Sequence, residues 1–258
     1  MVERCILDGR AVTFVRHPGD GPTLVCVHGA PENHHTFDLL FDALPGVARV
    51  AVDSPGRLGS DGPPMGSVAE LEDFIRRFVD SEVAGDYVLL GHSLGGGVAI
   101  EHALVSATPR LRGLVLVSTG ARLRVHPAIQ SIYAQAAATG EPPPVSSSSF
   151  EEAVDPELMA RVIKGIQLTP VESGVVDWRA ADGFDRMQDV ARIETPTLVI
   201  GGSEDALTPP KYGDYLTEKI RQSERVLIAG GAHMLIAERA QEVAGAIASF
   251  VARLGSAA

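Results

Sequence analysis

From about residue 22 to the end of the chain, short apolar runs alternate with helix-patterned stretches. Thr23–Val27, Val47–Val52, Tyr87–Leu90, Leu114–Val117, Thr197–Ile200 and Arg225–Ile228 read as strands rich in Val, Ile and Leu. Most are continuously apolar instead of alternating, which is the pattern of strands covered on both faces. Between them, Val68–Val79 carries Val68, Leu71, Phe74, Ile75, Phe78 and Val79 at the 3.6-residue period of an amphipathic helix. The last segment does the same with Val243, Ala246, Ile247, Phe250, Val251 and Leu254. Strands separated by helices close as βαβ units in a mostly parallel, twisted sheet flanked by helices. Residues 2–16 instead predict an antiparallel hairpin around Asp8-Gly9-Arg10 at one sheet edge, bringing the sheet to about eight strands.

One stretch interrupts the alternation. From Ala121 to Asp182 no strand run is evident. Helical pieces are predicted near Pro127–Ala138, Asp155–Ile166 and Pro170–Ala181, around a breaker-rich Gly140–Ser149. Ile129, Ile132, Tyr133, Leu158, Val162, Ile163, Val175, Val176 and Trp178 offer apolar faces that need cover, which favours an inserted helical unit over a disordered linker. The expected division is a core of residues 1–120 and 183–258 with an insertion at 121–182, following the sixth strand.

Composition narrows the partners. The 258 residues carry 33 acids against 22 bases, a formal charge of -11. That disfavours nucleic acid and anionic membrane, both of which select basic surfaces. No run approaches a membrane span. Met1-Val2-Glu3-Arg4 leads straight into strand-like sequence with no secretory pattern, so a cytoplasmic location is expected. Cys5 and Cys26 make no disulfide framework, and no His, Cys, Asp and Glu grouping has metal-site spacing, so no cofactor is expected. Cys26, inside a strand, reads as a small buried apolar residue.

The chemistry concentrates in Gly91-His92-Ser93-Leu94-Gly95, directly after the strand Tyr87–Leu90 and opening a helix. This strand–turn–helix context is that of a nucleophile elbow, with glycines where side chains would collide around a sharply turned serine. A phosphate loop would need a Gly-Lys-Ser/Thr ending, which is missing. A serine nucleophile requires a base and an acid to orient it. His233, in Gly230-Gly231-Ala232-His233, follows the strand Arg225–Ile228; Asp205, in Gly201-Gly202-Ser203-Glu204-Asp205, follows Thr197–Ile200. Loops leaving the C-terminal ends of parallel strands converge on one edge, so Ser93, Asp205 and His233 can meet. Glu204 is the rival acid. The oxyanion donors are expected to be the backbone N–H groups of Leu94 and Ala30, the latter in His28-Gly29-Ala30-Pro31.

These motifs, with Asp53-Ser54-Pro55-Gly56, Pro209 and Glu238, resemble the α/β-hydrolase fold superfamily, in its serine carboxylesterase and haloperoxidase-like branch, over about residues 5–255. The resemblance implies that 121–182 is a cap over the serine. One departure is visible: many relatives have Gly-x-Gly-x-Ser where this chain has Gly56-Arg57-Leu58-Gly59-Ser60. A serine in the elbow points to an acyl-enzyme route, unlike relatives with an aspartate there. The expected activity is hydrolysis of small to medium carboxylic esters. Thioesters, enol-lactones, cofactor-free perhydrolysis and a non-catalytic ligand receptor stay open as alternatives, as does the oligomeric state. His28 and Asp53 are expected to tie down loops, and His92 to play a packing or support role. His34 and His35 are expected to be solvated or helix-capping, with lining of the pocket as the alternative for either. Trp178 and Tyr133 are assigned either to the acyl pocket or to packing within the cap.

Overall fold

The computed structural model describes residues 2–106, 108–144 and 149–255. Its strands are β1 (Val2–Leu7), β2 (Arg10–His17), β3 (Asp20–Val27), β4 (Val47–Val52), β5 (Tyr87–His92), β6 (Leu111–Val117), β7 (Thr197–Gly202) and β8 (Ser223–Ile228). They form one eight-stranded sheet in the order β1-β2-β4-β3-β5-β6-β7-β8. β1 and β2 pair antiparallel, β2 lies antiparallel to β4, and every other pairing is parallel. The hairpin turns through Asp8 and Gly9, both at positive φ (49° and 77°), as the tightest hairpin turn requires. β3, β6 and β8 start earlier than the apolar runs suggest, and ladder pairs such as Asp20↔Val47 and Thr197↔Ser223 show polar residues taking part.

The helices are α1 (Asp38–Ala43), α2 (Val68–Glu82), α3 (Leu94–Val105), α4 (Pro127–Thr139), α5 (Pro156–Ile166), α6 (Val171–Asp182), α7 (Pro210–Lys219), α8 (Leu235–Glu238) and α9 (Ala240–Gly255). They cover both faces of the sheet. Alternate residues of β3 go to opposite layers: Val25 and Val27 pack with α2 and α3, whereas Leu24 and Cys26 pack with α1, α8 and α9. This two-sided burial is why the strands read as unbroken apolar runs. In α2 the expected stripe is buried. The Ser67 hydroxyl accepts from Glu70 N–H and the Glu70 carboxylate from Gly66 N–H, which fixes where the helix starts.

Among the described residues, α4, α5 and α6 lie between β6 and β7. Asp155 caps α5 by accepting from the Glu157 and Leu158 N–H groups. Residues 145–148, within the breaker-rich stretch, lie outside the described residues. The apolar residues of this region are only partly covered. Tyr133 is buried and packs against Trp178 with ring centroids 5.9 Å apart, but Ile132 keeps 38 % of its surface exposed. The reason lies in the cavity described below, into whose wall Ile129, Ile132, Tyr133 and Trp178 are built.

Several buried bonds tie these helices to the core. Arg57 forks onto Asp177 of α6 at 2.8 and 2.9 Å, and the same guanidinium donates to the Glu32 carbonyl at 2.8 Å. Both side chains of the pair are essentially inaccessible. Ser173 Oγ donates to the Gly56 carbonyl, and Asn33 Nδ2 to the Gly165 carbonyl. The unusual Gly56–Ser60 segment thus anchors α6. Leu58, where many relatives have glycine, takes φ 46°, while Gly56 and Ser60 still close the loop through a 3.1 Å backbone bond.

Candidate active site

Ser93 sits between β5 and α3 with φ 51° and ψ −115°, a backbone that L-residues rarely adopt. The neighbouring glycines explain how the chain tolerates it. A Cβ on Gly91 would lie 2.1 Å from the Gly95 carbonyl oxygen, and one on Gly95 would lie 2.1 Å from the Val27 carbonyl oxygen. Only hydrogen fits at either place. The turn is held by Ser93 N–H donating to the Val117 carbonyl and by Thr119 Oγ1 donating to the Ser93 carbonyl. Leu94 begins α3, so its N–H belongs to the unsatisfied donors at a helix N-terminus.

Asp205 and His233 meet across the loops after β7 and β8. His233 Nδ1 lies 2.9 Å from Asp205 Oδ2 and 3.1 Å from Oδ1, both residues being buried. A carboxylate only accepts, so Nδ1 carries the proton and Nε2 is left to accept one. Asp205 also accepts from Leu207 N–H, Thr208 N–H and Thr208 Oγ1, at 2.9, 2.8 and 2.7 Å. Burial alone would raise its pKa, but the positive charge of His233 and these donors outweigh it and hold the carboxyl at about 2. The rival Glu204 is exposed and accepts from Ser203 Oγ instead.

Ser93, Ala30, Thr208 and His233 all border one cavity of about 630 Å³. Its wall is mainly apolar, with Leu123, Val125, Ile129, Ile132 and Leu207 among the lining residues. Trp178 and Tyr133 serve both expected roles, since they line the cavity and pack against each other with their rings tilted by 60°. The loop His28-Gly29-Ala30-Pro31 is braced from two sides. His28 Nδ1 donates to the Gly29 carbonyl at 2.9 Å while its Nε2 faces Ser54 Oγ at 2.7 Å. Burial, helped by the Arg57 charge, lowers the His28 pKa and keeps the ring neutral.

Some expectations for histidines change. His34 is neither solvated nor a cap: it is buried and bonds through Nδ1 to Asp53 at 2.7 Å, and Asn33 caps the 3-10 turn that begins at His34. Asp53 also accepts from the His34 N–H, so it does tie down a loop. His35 pairs with Asp38 at the surface. Sequence reasoning missed Glu32 and Thr208. Thr208 stands three residues after Asp205, a spacing suited to a local side-chain turn, and that was the available signal. Among the described residues no group of three or more His, Cys, Asp or Glu is placed to hold a metal ion, and no helix is long and apolar enough to cross a membrane.

A mostly parallel sheet with a sharply turned serine after β5 and an Asp–His pair in the loops after β7 and β8 defines an α/β protein of the hydrolase type. A profile of the alpha/beta hydrolase family matches residues 24–246, and the chain belongs to that family. It is 27% identical over 244 residues to the pimeloyl-(acyl-carrier protein) methyl ester esterase of Neisseria meningitidis, covering 87% of this chain and 91% of that protein. Among solved structures it resembles a thermophilic esterase at 29% identity, with TM-score 0.81 and 99% of both chains covered. The enol-lactonase of Burkholderia xenovorans LB400 shares the fold, with TM-score 0.85 at 20% identity over 97% of this chain and 100% of the other.

Proposed function

We propose that this protein is a serine hydrolase that cleaves small to medium carboxylic esters through an acyl-enzyme. The observation that carries the reading is the bond of His233 Nδ1 to a buried, four-donor Asp205 carboxylate, on the wall of the cavity that also holds Ser93. In this mechanism Ser93 Oγ attacks the acyl carbonyl as His233 Nε2 takes its proton. Asp205 orients the imidazole and stabilises the imidazolium. The N–H groups of Ala30 and Leu94 receive the tetrahedral oxyanion. His233 then protonates the leaving alkoxide and later activates the water that frees Ser93. Residues 121–182 act as a cap whose apolar side chains, Ile129 and Ile132 among them, take up the substrate's hydrocarbon part. The esterase names of the relatives support an ester substrate.

The test is a panel of p-nitrophenyl esters from acetate to octanoate, with acyl-CoA and lactone substrates alongside. Turnover of short and medium oxygen esters, with His233→Ala lowering kcat at least about a thousandfold, is the expected result. Hydrolysis confined to thioesters or lactones would refute the ester assignment, and turnover of none would refute the hydrolase reading.

A further inference from the structure

Beneath His233 lies a second buried acid–imidazole pair that the mechanism above does not use. His92, in the variable position of the elbow, is inaccessible, and Glu32 is 2 % exposed. The Nδ1 of His92 lies 2.9 Å from Glu32 Oε1 and 3.0 Å from Oε2. Its Nε2 lies 3.0 Å from the backbone carbonyl oxygen of His233. That carbonyl can only accept, so Nε2 must carry a proton. Nδ1 faces a carboxylate that also accepts from Gly29 N–H at 2.8 Å. A carboxylate bonded to a backbone donor and to an imidazole is favoured in its ionised form, and Nδ1 is then protonated as well. Burial opposes charge on both groups, yet each partner outweighs it for the other: His92 is raised and Glu32 is lowered.

We propose that Glu32 and His92 form a fixed carboxylate–imidazolium pair that positions His233 and lowers the pH at which His233 becomes a base. The inference rests on the assignment of His233 as the general base. The pair has two physical consequences. First, it joins three pieces of the site: Glu32 holds the oxyanion loop through Gly29, His92 belongs to the elbow, and its Nε2–H grips the main chain of the base. A Cβ on Gly29 would meet Glu32 Oε1 at 2.9 Å and the Ser93 Cβ at 3.0 Å, so both the acid and Ser93 lie close against the loop at Gly29. Second, the imidazolium ring of His92 lies 5.2 Å from the ring of His233, centroid to centroid. Its negative partner bonds Nδ1, whereas the proton-bearing Nε2 is the atom turned to His233. A second positive charge on His233 is therefore disfavoured, and the neutral, proton-accepting form extends to lower pH.

Other charges surround this pair and His233, and Arg124, His126 and Lys211 line the same cavity as His233. Asp205 faces His233 Nδ1 and acts in the opposite direction, favouring the imidazolium. His28 lies near Glu32 and is kept neutral by burial and by Arg57, whose own charge is matched by Asp177. Asp53 is bonded to His34. Glu238 of α8 accepts from Ala232 N–H at 3.2 Å, and burial raises its carboxyl pKa.

The experiment compares wild type with Glu32→Gln, whose amide keeps a hydrogen-bonding partner for Gly29 and His92 but removes the charge. Two readouts are taken between pH 5 and 9: the acidic limb of kcat/KM on p-nitrophenyl butyrate, and the titration of His233 followed by NMR of ¹⁵N-histidine protein. In wild type the spectrum should show His92 doubly protonated at neutral pH, distinct from surface His35, whose bond to Asp38 also favours the charged form. In Glu32→Gln both the kinetic and the NMR midpoint should rise by about half a pH unit or more, a loss of roughly threefold on the acidic limb beyond any loss on the plateau. His92→Asn, which can still donate to the His233 carbonyl, should give the same upward movement and serves if Glu32→Gln does not fold. A singly protonated His92, or an unmoved His233 midpoint in a folded variant, overturns the proposal. A wild type that turns over no ester instead sinks the hydrolase reading, while the NMR titration still decides the role of the pair.

Discussion

At the residue scale, the groups that sequence alone could name are those whose role is written into a local turn. Ser93 needs Gly91 and Gly95 beside it for reasons of contact distance, so the pattern Gly91-His92-Ser93-Leu94-Gly95 is readable without a structure. Asp205 and His233 each follow a strand directly, and the parallel sheet brings them within 2.9 Å. Glu32 and Asp177 were not legible. Their partners, His92 and Arg57, lie 60 and 120 positions away, and nothing local marks the pairing. The Asp205 carboxyl yields a prediction at this scale. Its folded pKa of about 2 lies below the ordinary 3.8, so ionised Asp205 stabilises the fold above pH 4 and loses that contribution as pH falls towards 2. Wild type should exceed Asp205→Asn by roughly 2 kcal/mol in urea unfolding at pH 6, and the gap should close progressively below pH 4. A constant gap across that range would show that Asp205 is not held ionised by its neighbours.

At the element scale, periodicity worked where a helix buries a full stripe. α2 and α9 were readable because Phe74, Ile75 and Phe78, or Val243, Ile247 and Phe250, recur on one face. α1 has six residues, and α7 buries only Leu216 fully, so neither carries a stripe to detect. The inserted helices α4–α6 were legible as helices, but their attachment was not. It depends on Arg57 and Asp177, inaccessible partners that join α6 to the loop after β4. Asp177→Asn leaves the Arg57 guanidinium buried without its counter-charge. That variant should lose about 3–5 kcal/mol in denaturant unfolding, whereas replacing an exposed acid of α6 such as Glu172 should change stability by under about 1 kcal/mol. Equal effects would mean that the bridge does not anchor the helix.

At the scale of the whole molecule, an eight-stranded sheet sandwiched between two helical layers presents its loops at one edge, and the inserted helices border a cavity of about 630 Å³ beside Ser93. Cavity size is a property of packing between α4, α6 and the loop after β7, which no spacing in the sequence encodes. Filling it should therefore change substrate choice and leave the chemistry intact. Ile132→Trp should lower kcat/KM for octanoate esters about tenfold or more relative to acetate, with the acetate rate little changed. A uniform loss on both would place Ile132 outside the acyl path. The proposed chemistry depends on Ser93 being the nucleophile, and the most direct measurement is covalent labelling by a fluorophosphonate followed by peptide mass mapping. A single adduct on Ser93 is expected, abolished in Ser93→Ala together with a loss in kcat on the order of 10⁴–10⁶. An adduct on another residue, or undiminished turnover by Ser93→Ala, would contradict it.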